Sequence, residues 1–221
     1  MFAPGVAEAA SVSFDRACYR GPMQQNVSVT GLAAESNFAL WQQDPIIYPE
    51  FGFLGDFDTD ASGNASTTRS VVALDESGPQ EAVATLAVRS GETDVATGQY
   101  RFTALSARPE IVGYEKTTGS INLDVHGFIE GGTLFAHYSY KRKHFKTIAV
   151  GPLQGPCGSL QKKIAKFPFR PVKKGEWWIQ FDNRRTYQRQ QPPFVEHLTS
   201  VAKTVAKKPK KCKRGKRCPR R

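Results

Sequence analysis

The chain has 221 residues, 31 Lys and Arg against 20 Asp and Glu, and 39% hydrophobic residues, the size and balance of one or two globular domains with ordinary cores. No uncharged apolar run approaches the roughly 18 residues of a spanning helix, and 14 Pro with 19 Gly scattered along the chain argue against long helices, which excludes helical membrane proteins and coiled coils. Residues 1–110 carry a net charge of −8 and residues 111–200 a net +8, so the excess lies in residues 201–221, with 11 bases and no acid.

Met1 to Ala10 has neither the basic nor the apolar stretch of a secretory leader, yet Ala7-Glu8-Ala9 has the small-x-small form of a cleavage site. The expectation is a leader remnant at 1–9, with the true start upstream and an extracellular or cell-envelope location. Without an upstream leader the location is cytoplasmic.

Strand signals follow in order: Ala10 to Phe14, Val27 to Thr30, Asn37 to Trp41, Ile46 to Phe53, Ala65 to Val72, Ala82 to Val88 and Gln99 to Leu105. Each is short, alternating or β-branched, and bounded by Gly, Asp, Asn or Ser. That density over residues 10–105 reads as an acidic β-sandwich. Ser106-Ala107-Arg108-Pro109 marks a boundary, and Ser120 to Phe128, Thr133 to Tyr140, Phe145 to Val150 and Glu176 to Asp182 supply a second, basic β domain over 106–190. In the last of these Trp177, Ile179 and Phe181 share one face and are assigned to the core. Trp178, Gln180 and Asp182 share the other, with Trp178 exposed or at an interface.

Leu160 to Phe169, with Lys162, Lys163 and Lys166 among Leu160, Ile164 and Phe167, reads as one or two helical turns. Over 191–221, Val195, Leu198, Val201, Ala202 and Val205 recur at three to four residues after Pro192-Pro193, predicting a short helix that Pro209 ends. The rest is a basic tail too poor in apolar residues to offset its ordering entropy.

Four cysteines permit three pairings under oxidising conditions. Cys212 and Cys218 are close enough in the tail to bridge each other, while Cys18 and Cys157 fall in different halves. No second Cys/His pair stands at zinc spacing beside the tail cysteines, and no metal or cofactor is expected.

Cys18, Val27-Ser28-Val29-Thr30-Gly31, Trp41 and Asp58-Thr59-Asp60-Ala61-Ser62-Gly63-Asn64-Ala65 together resemble bacterial immunoglobulin-like modules, in which one strand ends in Gly and a D-A-x-G turn joins two later strands. Gly155-Pro156-Cys157-Gly158, Phe167-Pro168-Phe169-Arg170-Pro171, Gly175, Trp177, Gln180-Phe181-Asp182, Arg184-Arg185 and Tyr187 resemble the closing block of uncharacterised exported bacterial proteins with tandem Ig-like β-sandwich domains. The resemblance implies two tandem Ig-like β-sandwiches and export, and it supplies no catalytic residues.

Candidate chemistry is sparse. Asp56, Asp58 and Asp60 have the alternation of a calcium loop, but Ala61 and Thr67 stand where Gly and Glu are required, so a plain hairpin is expected. Cys157 with His126, His137 or His144 is a formal nucleophile pair with no supporting motif, and a non-enzymatic protein is expected. Polyanion binding is assigned to Lys207, Lys208, Lys210, Lys211, Lys213, Arg214, Lys216, Arg217, Arg220 and Arg221 in the tail, and to Lys141, Arg142 and Lys143 in a hairpin that mixes Tyr138 and Tyr140 with bases. Lys162, Lys163, Lys166, Arg184 and Arg185 extend that hairpin to a basic face if the fold brings them together. The expected partner is an anionic polymer. An exported binding or spacer module held on envelope polymers is the first reading, and an intracellular, non-specific nucleic-acid-binding protein using the same tail is the alternative.

Overall fold

The computed structural model describes residues 9–74, 80–114 and 116–201. All fifteen elements are strands: β1 (Ser11–Phe14), β2 (Cys18–Arg20), β3 (Gln24–Thr30), β4 (Asn37–Gln43), β5 (Gly52–Asp58), β6 (Ala65–Ser70), β7 (Glu81–Ser90), β8 (Thr93–Thr103), β9 (Ser106–Val112), β10 (Ser120–His126), β11 (Thr133–Tyr140), β12 (Lys143–Pro152), β13 (Leu160–Ala165), β14 (Gly175–Asp182) and β15 (Val195–Val201). They form four sheets, ordered β1-β3-β6, β2-β8-β7-β4-β5, β13-β10-β9 and β12-β11-β14-β15. Every pairing is antiparallel except β2 with β8.

Two cores result, each closed between a three-stranded sheet and a larger one. The first gathers Tyr19, Val27, Val29, Leu40, Leu86, Val88, Tyr100 and Phe102, and the second Ile121, Val125, Phe128, Leu134, Tyr138, Trp177, Ile179 and Phe181. Strand β3 shows why the alternation works. Gln25, Val27 and Val29 are buried while the intervening residues face solvent, so its inner face is available to the opposite sheet.

The junction between the cores is covalent. Cys18 on β2 is bonded to Cys157 in the 155–158 turn, 139 residues later, with Cα atoms 5.3 Å apart. Arg20 reaches across beside it, donating from Nη1 to the Gly127 carbonyl at 2.8 Å and pairing through Nη2 with Glu130 at 3.2 Å. Close backbone approach explains two glycines here. A Cβ on Gly127 (φ +85°) would lie 2.3 Å from the Ala104 carbonyl oxygen, and one on Gly158 (φ +59°) would lie 1.9 Å from that of Phe128.

Three sequence expectations are corrected. Ile46–Phe51 is a turn rather than strand, because the Asp44 carboxylate accepts the Ile46 and Ile47 amides at 2.9 and 2.7 Å and so competes with a ladder. Ser106-Ala107-Arg108-Pro109, read as a boundary, is where strand β9 begins, and Pro109 is tolerated there because β9 is a sheet edge, which adds to the boundary without correcting it. Leu160–Ala165 is strand β13, not helix. The expected helix after Pro193 is replaced over Val195–Val201 by strand β15, paired along its length with β14. Its inward positions include fully buried Thr199, while Leu198 is 41% exposed. The remainder of that expected helix and the tail lie outside the described residues.

Candidate polyanion site and a buried polar network

The β11–β12 hairpin turns at Lys141 and Arg142, both with positive φ (50° and 63°), as a two-residue loop between right-twisted strands requires. Tyr140 lies beneath the turn. Its hydroxyl donates to the Lys174 carbonyl at 2.9 Å, which draws the β13–β14 connection alongside and places Lys173 Nζ 5.5 Å and Lys141 Nζ 5.6 Å from the Tyr140 ring. Lys146 stands 5.9 Å from the Phe169 ring. Below them Phe145, 42% exposed, packs on Phe169 and Trp177 with ring centroids 5.1 and 5.3 Å apart. The result is a tip where exposed Lys141, Lys146 and Lys173 stand beside aromatic rings, with exposed Lys143 opposite Tyr140 in the ladder.

Arg142 does not belong to it. Its guanidinium carbon sits 3.2 Å from the Trp178 ring centroid, and Nη1 pairs with Glu196 at 2.9 Å, so its charge is already engaged. The other bases scatter rather than extending the tip. Lys162 donates to the Val150 carbonyl at 2.5 Å. Arg184 donates through Nη2 to the Gln191 carbonyl, and Arg185 lies beside Thr133 and Phe135 at the opposite end of the sheet. Lys166 is fully buried, its ammonium donating to the carbonyls of Gly113, Tyr114, Lys116 and Ser200, with Ser200 at 3.0 Å. Burial lowers its pKa. Among the described residues these bases do not extend the tip into a continuous basic face, and the ten tail positions assigned to polyanion binding lie outside the described residues.

The outward face of β14 is covered instead of exposed. Trp177, Ile179 and Phe181 are buried in the core as expected, yet Gln180 and Asp182 on the other face are buried too, because the 183–194 connection folds over them. Gln180 Nε2 donates to Asp182 Oδ2 at 2.7 Å and to the Gln188 carbonyl at 2.9 Å, and its Oε1 accepts the Gln190 amide at 3.0 Å. Asp182 Oδ1 accepts the Arg184 amide at 2.8 Å and lies 3.0 Å from His137 Nε2.

His137 Nε2 also faces the Arg184 carbonyl at 3.0 Å, so it donates towards two acceptors. His137 Nδ1 lies 2.8 Å from the Thr147 hydroxyl, which is also within hydrogen-bond distance of His144 Nε2 at 3.0 Å. His144 stacks on Tyr187 with centroids 4.7 Å apart, and burial together with His137 lowers its pKa. For Asp182 burial raises the pKa, but the His137, Arg184 and Gln180 hydrogen bonds outweigh it and the net shift is downward. This hydroxyl–imidazole–carboxylate chain fastens the connection to the sheet. It was missed in the sequence, although strand alternation already placed Gln180 and Asp182 on one face.

The Cys157 nucleophile reading is overturned by the bond to Cys18, and His126 pairs instead with Asp124 at 3.0 Å. Among the described residues no group of three His, Cys, Asp or Glu is placed to hold a metal ion. Asp56 and Asp58 do share an exposed face, but the turn after them is not a hairpin: β5 pairs with β4 and β6 with β3, so the chain crosses between sheets there. Asp60 shapes that crossing by accepting the Ser62 and Asn64 amides at 2.8 and 2.9 Å.

No family model matches the chain, and no curated protein matches it. Among solved structures it is similar to a red sea bream transglutaminase, at 8% identity and a TM-score of 0.33, over 89% of this chain and 32% of that one. The chain thus spans about a third of that structure, and a likeness at this level carries no argument about activity.

Proposed function

We propose that the chain is a non-enzymatic, exported protein of two tandem Ig-like β-sandwiches, a binding or spacer module held on anionic envelope polymers by its basic tail, with the lysine tip at Lys141, Lys143, Lys146 and Lys173 as a second contact. The observation that carries this reading is the Cys18–Cys157 bond, which ties the two cores together and is at home in an oxidising compartment. The two pairs of sheets, antiparallel apart from β2 with β8, support the Ig-like reading. Engagement of Cys157 in the disulfide and of His137 in a structural network supports the non-enzymatic one.

The adhesion mechanism is electrostatic. Each polymer anion neutralised by a lysine or arginine releases condensed counterions, so binding falls steeply with salt. The test is cell fractionation of the full chain and a 201–221 deletion over a salt series. Retention that drops on deletion and on raising salt supports the reading, and unchanged retention of the deletion removes it.

A further inference from the structure

Several connections meet at the end of the second sandwich that carries the lysine tip. Tyr140 pairs with Trp177, so the β11–β12 turn lies beside the start of β14, and Gly175 there pairs with Val201 at the end of β15. The β9–β10 connection joins them through Lys166, whose buried ammonium donates to the carbonyls of Gly113, Tyr114 and Lys116 and, at 3.0 Å, to that of Ser200. That shared donor fixes Tyr114 against the sandwich.

Apolar side chains stay in water at this end. Val112, Tyr114 and Phe145 are 51, 44 and 42% exposed. The two rings are joined through the core. Lys166 Nζ lies 5.4 Å from the Tyr114 ring and 5.2 Å from that of Phe167, and Phe167 packs on Trp177 and Phe169 at 5.2 and 5.8 Å, the pair on which Phe145 rests. Exposed Lys116, Lys141, Lys143, Lys146 and Lys173 lie on the same turns and strand ends, against exposed Glu176. The chain also leaves β15 here, so residues 201–221, with their 11 bases, begin at this end.

A dissolved polyanion would satisfy the lysines and leave these rings in water, whereas a bilayer offers phosphates at its surface and an apolar boundary just beneath. Tyrosine suits that boundary, with an apolar ring and a polar tip. We infer that this end of the second sandwich docks on an anionic lipid bilayer, its lysines on the headgroup phosphates and Phe145 and Tyr114 at the acyl boundary. This goes beyond retention on polymers, because it needs the rings as well as the charge.

The test is co-sedimentation of the full chain with vesicles of phosphatidylglycerol and phosphatidylcholine in equal parts, with vesicles of phosphatidylcholine alone and, in parallel, binding to soluble heparin. Binding to the anionic vesicles should be at least about tenfold tighter than to the neutral ones. Phe145→Ser should weaken anionic-vesicle binding by about three- to tenfold and leave heparin binding unchanged. Lys141→Gln with Lys146→Gln should weaken both. Circular dichroism reports folding, and Tyr114→Ser decides in its place if Phe145→Ser fails to fold. Vesicle binding by a chain that ignores heparin would support the inference while removing the polymer reading. No binding to anionic vesicles, equal binding to neutral ones, vesicle binding untouched by loss of the ring, or a loss felt equally on heparin would overturn it.

Discussion

Arg142 sits over Trp178, its guanidinium carbon 3.2 Å from the ring centroid, and this contact together with Glu196 takes it out of the basic tip. Arg142→Gln should therefore leave heparin or polyphosphate binding nearly unchanged while lowering thermal stability by about 1 kcal/mol. Lys141→Gln and Lys143→Gln should do the reverse, each reducing the slope of log affinity against log salt by about 0.7–0.9 with little effect on melting. A larger binding loss from Arg142 than from either lysine would contradict the assignment.

Removing the covalent link should be expensive. Cys18→Ser with Cys157→Ser is expected to cost about 2–5 kcal/mol in urea unfolding, and reduction of the unaltered chain should move the midpoint in the same direction. Coincident midpoints for oxidised and reduced protein would mean that Arg20 and the packed glycines hold the junction unaided.

The buried network predicts an acid limb in the stability profile. The pKa of Asp182 is lower in the folded protein than its ordinary 3.8, so its contribution is complete above that value and is lost as pH falls through the folded-state pKa. Asp182→Asn should destabilise by about 2–4 kcal/mol at pH 7, since the amide nitrogen it introduces would face the Gln180 donor, and should flatten the profile below about pH 4. An unchanged acid limb in the variant would remove Asp182 as its source.

Lys166 should prove structural rather than adhesive. Lys166→Met leaves four carbonyls without their shared donor and is expected to cost about 2–4 kcal/mol, with no change in salt-dependent polymer binding measured below the melting transition.

Strand alternation made most of the fold legible, and the failures have physical causes. In β13, Leu160 and Ile164 are four apart, a spacing shared by one helix face and one strand face, so the pattern does not discriminate. In β15 the inward positions include the polar His197 and Thr199. Exposed Leu198 instead completed an apparent three-residue repeat with Val195 and Val201. At the site, charge alone proposed Lys141, Arg142 and Lys143 alike, with Lys166 as an extension if the fold brought it near. What separates them is the position of Trp178 and Glu196 beside one base and of four carbonyls around another, both set by pairings between distant strands. The Cys18–Cys157 choice was likewise one of three until the turn at 155–158 met β2.

That bond also decides how the molecule carries load. Tension along the chain would travel from residue 18 directly to residue 157, leaving β2 to β8 of the first core and β9 to β12 of the second outside the path of force. Under load the stretch between Cys18 and Cys157 would therefore hold a fixed span while the bond is intact, and extension would have to come from the chain on either side of it.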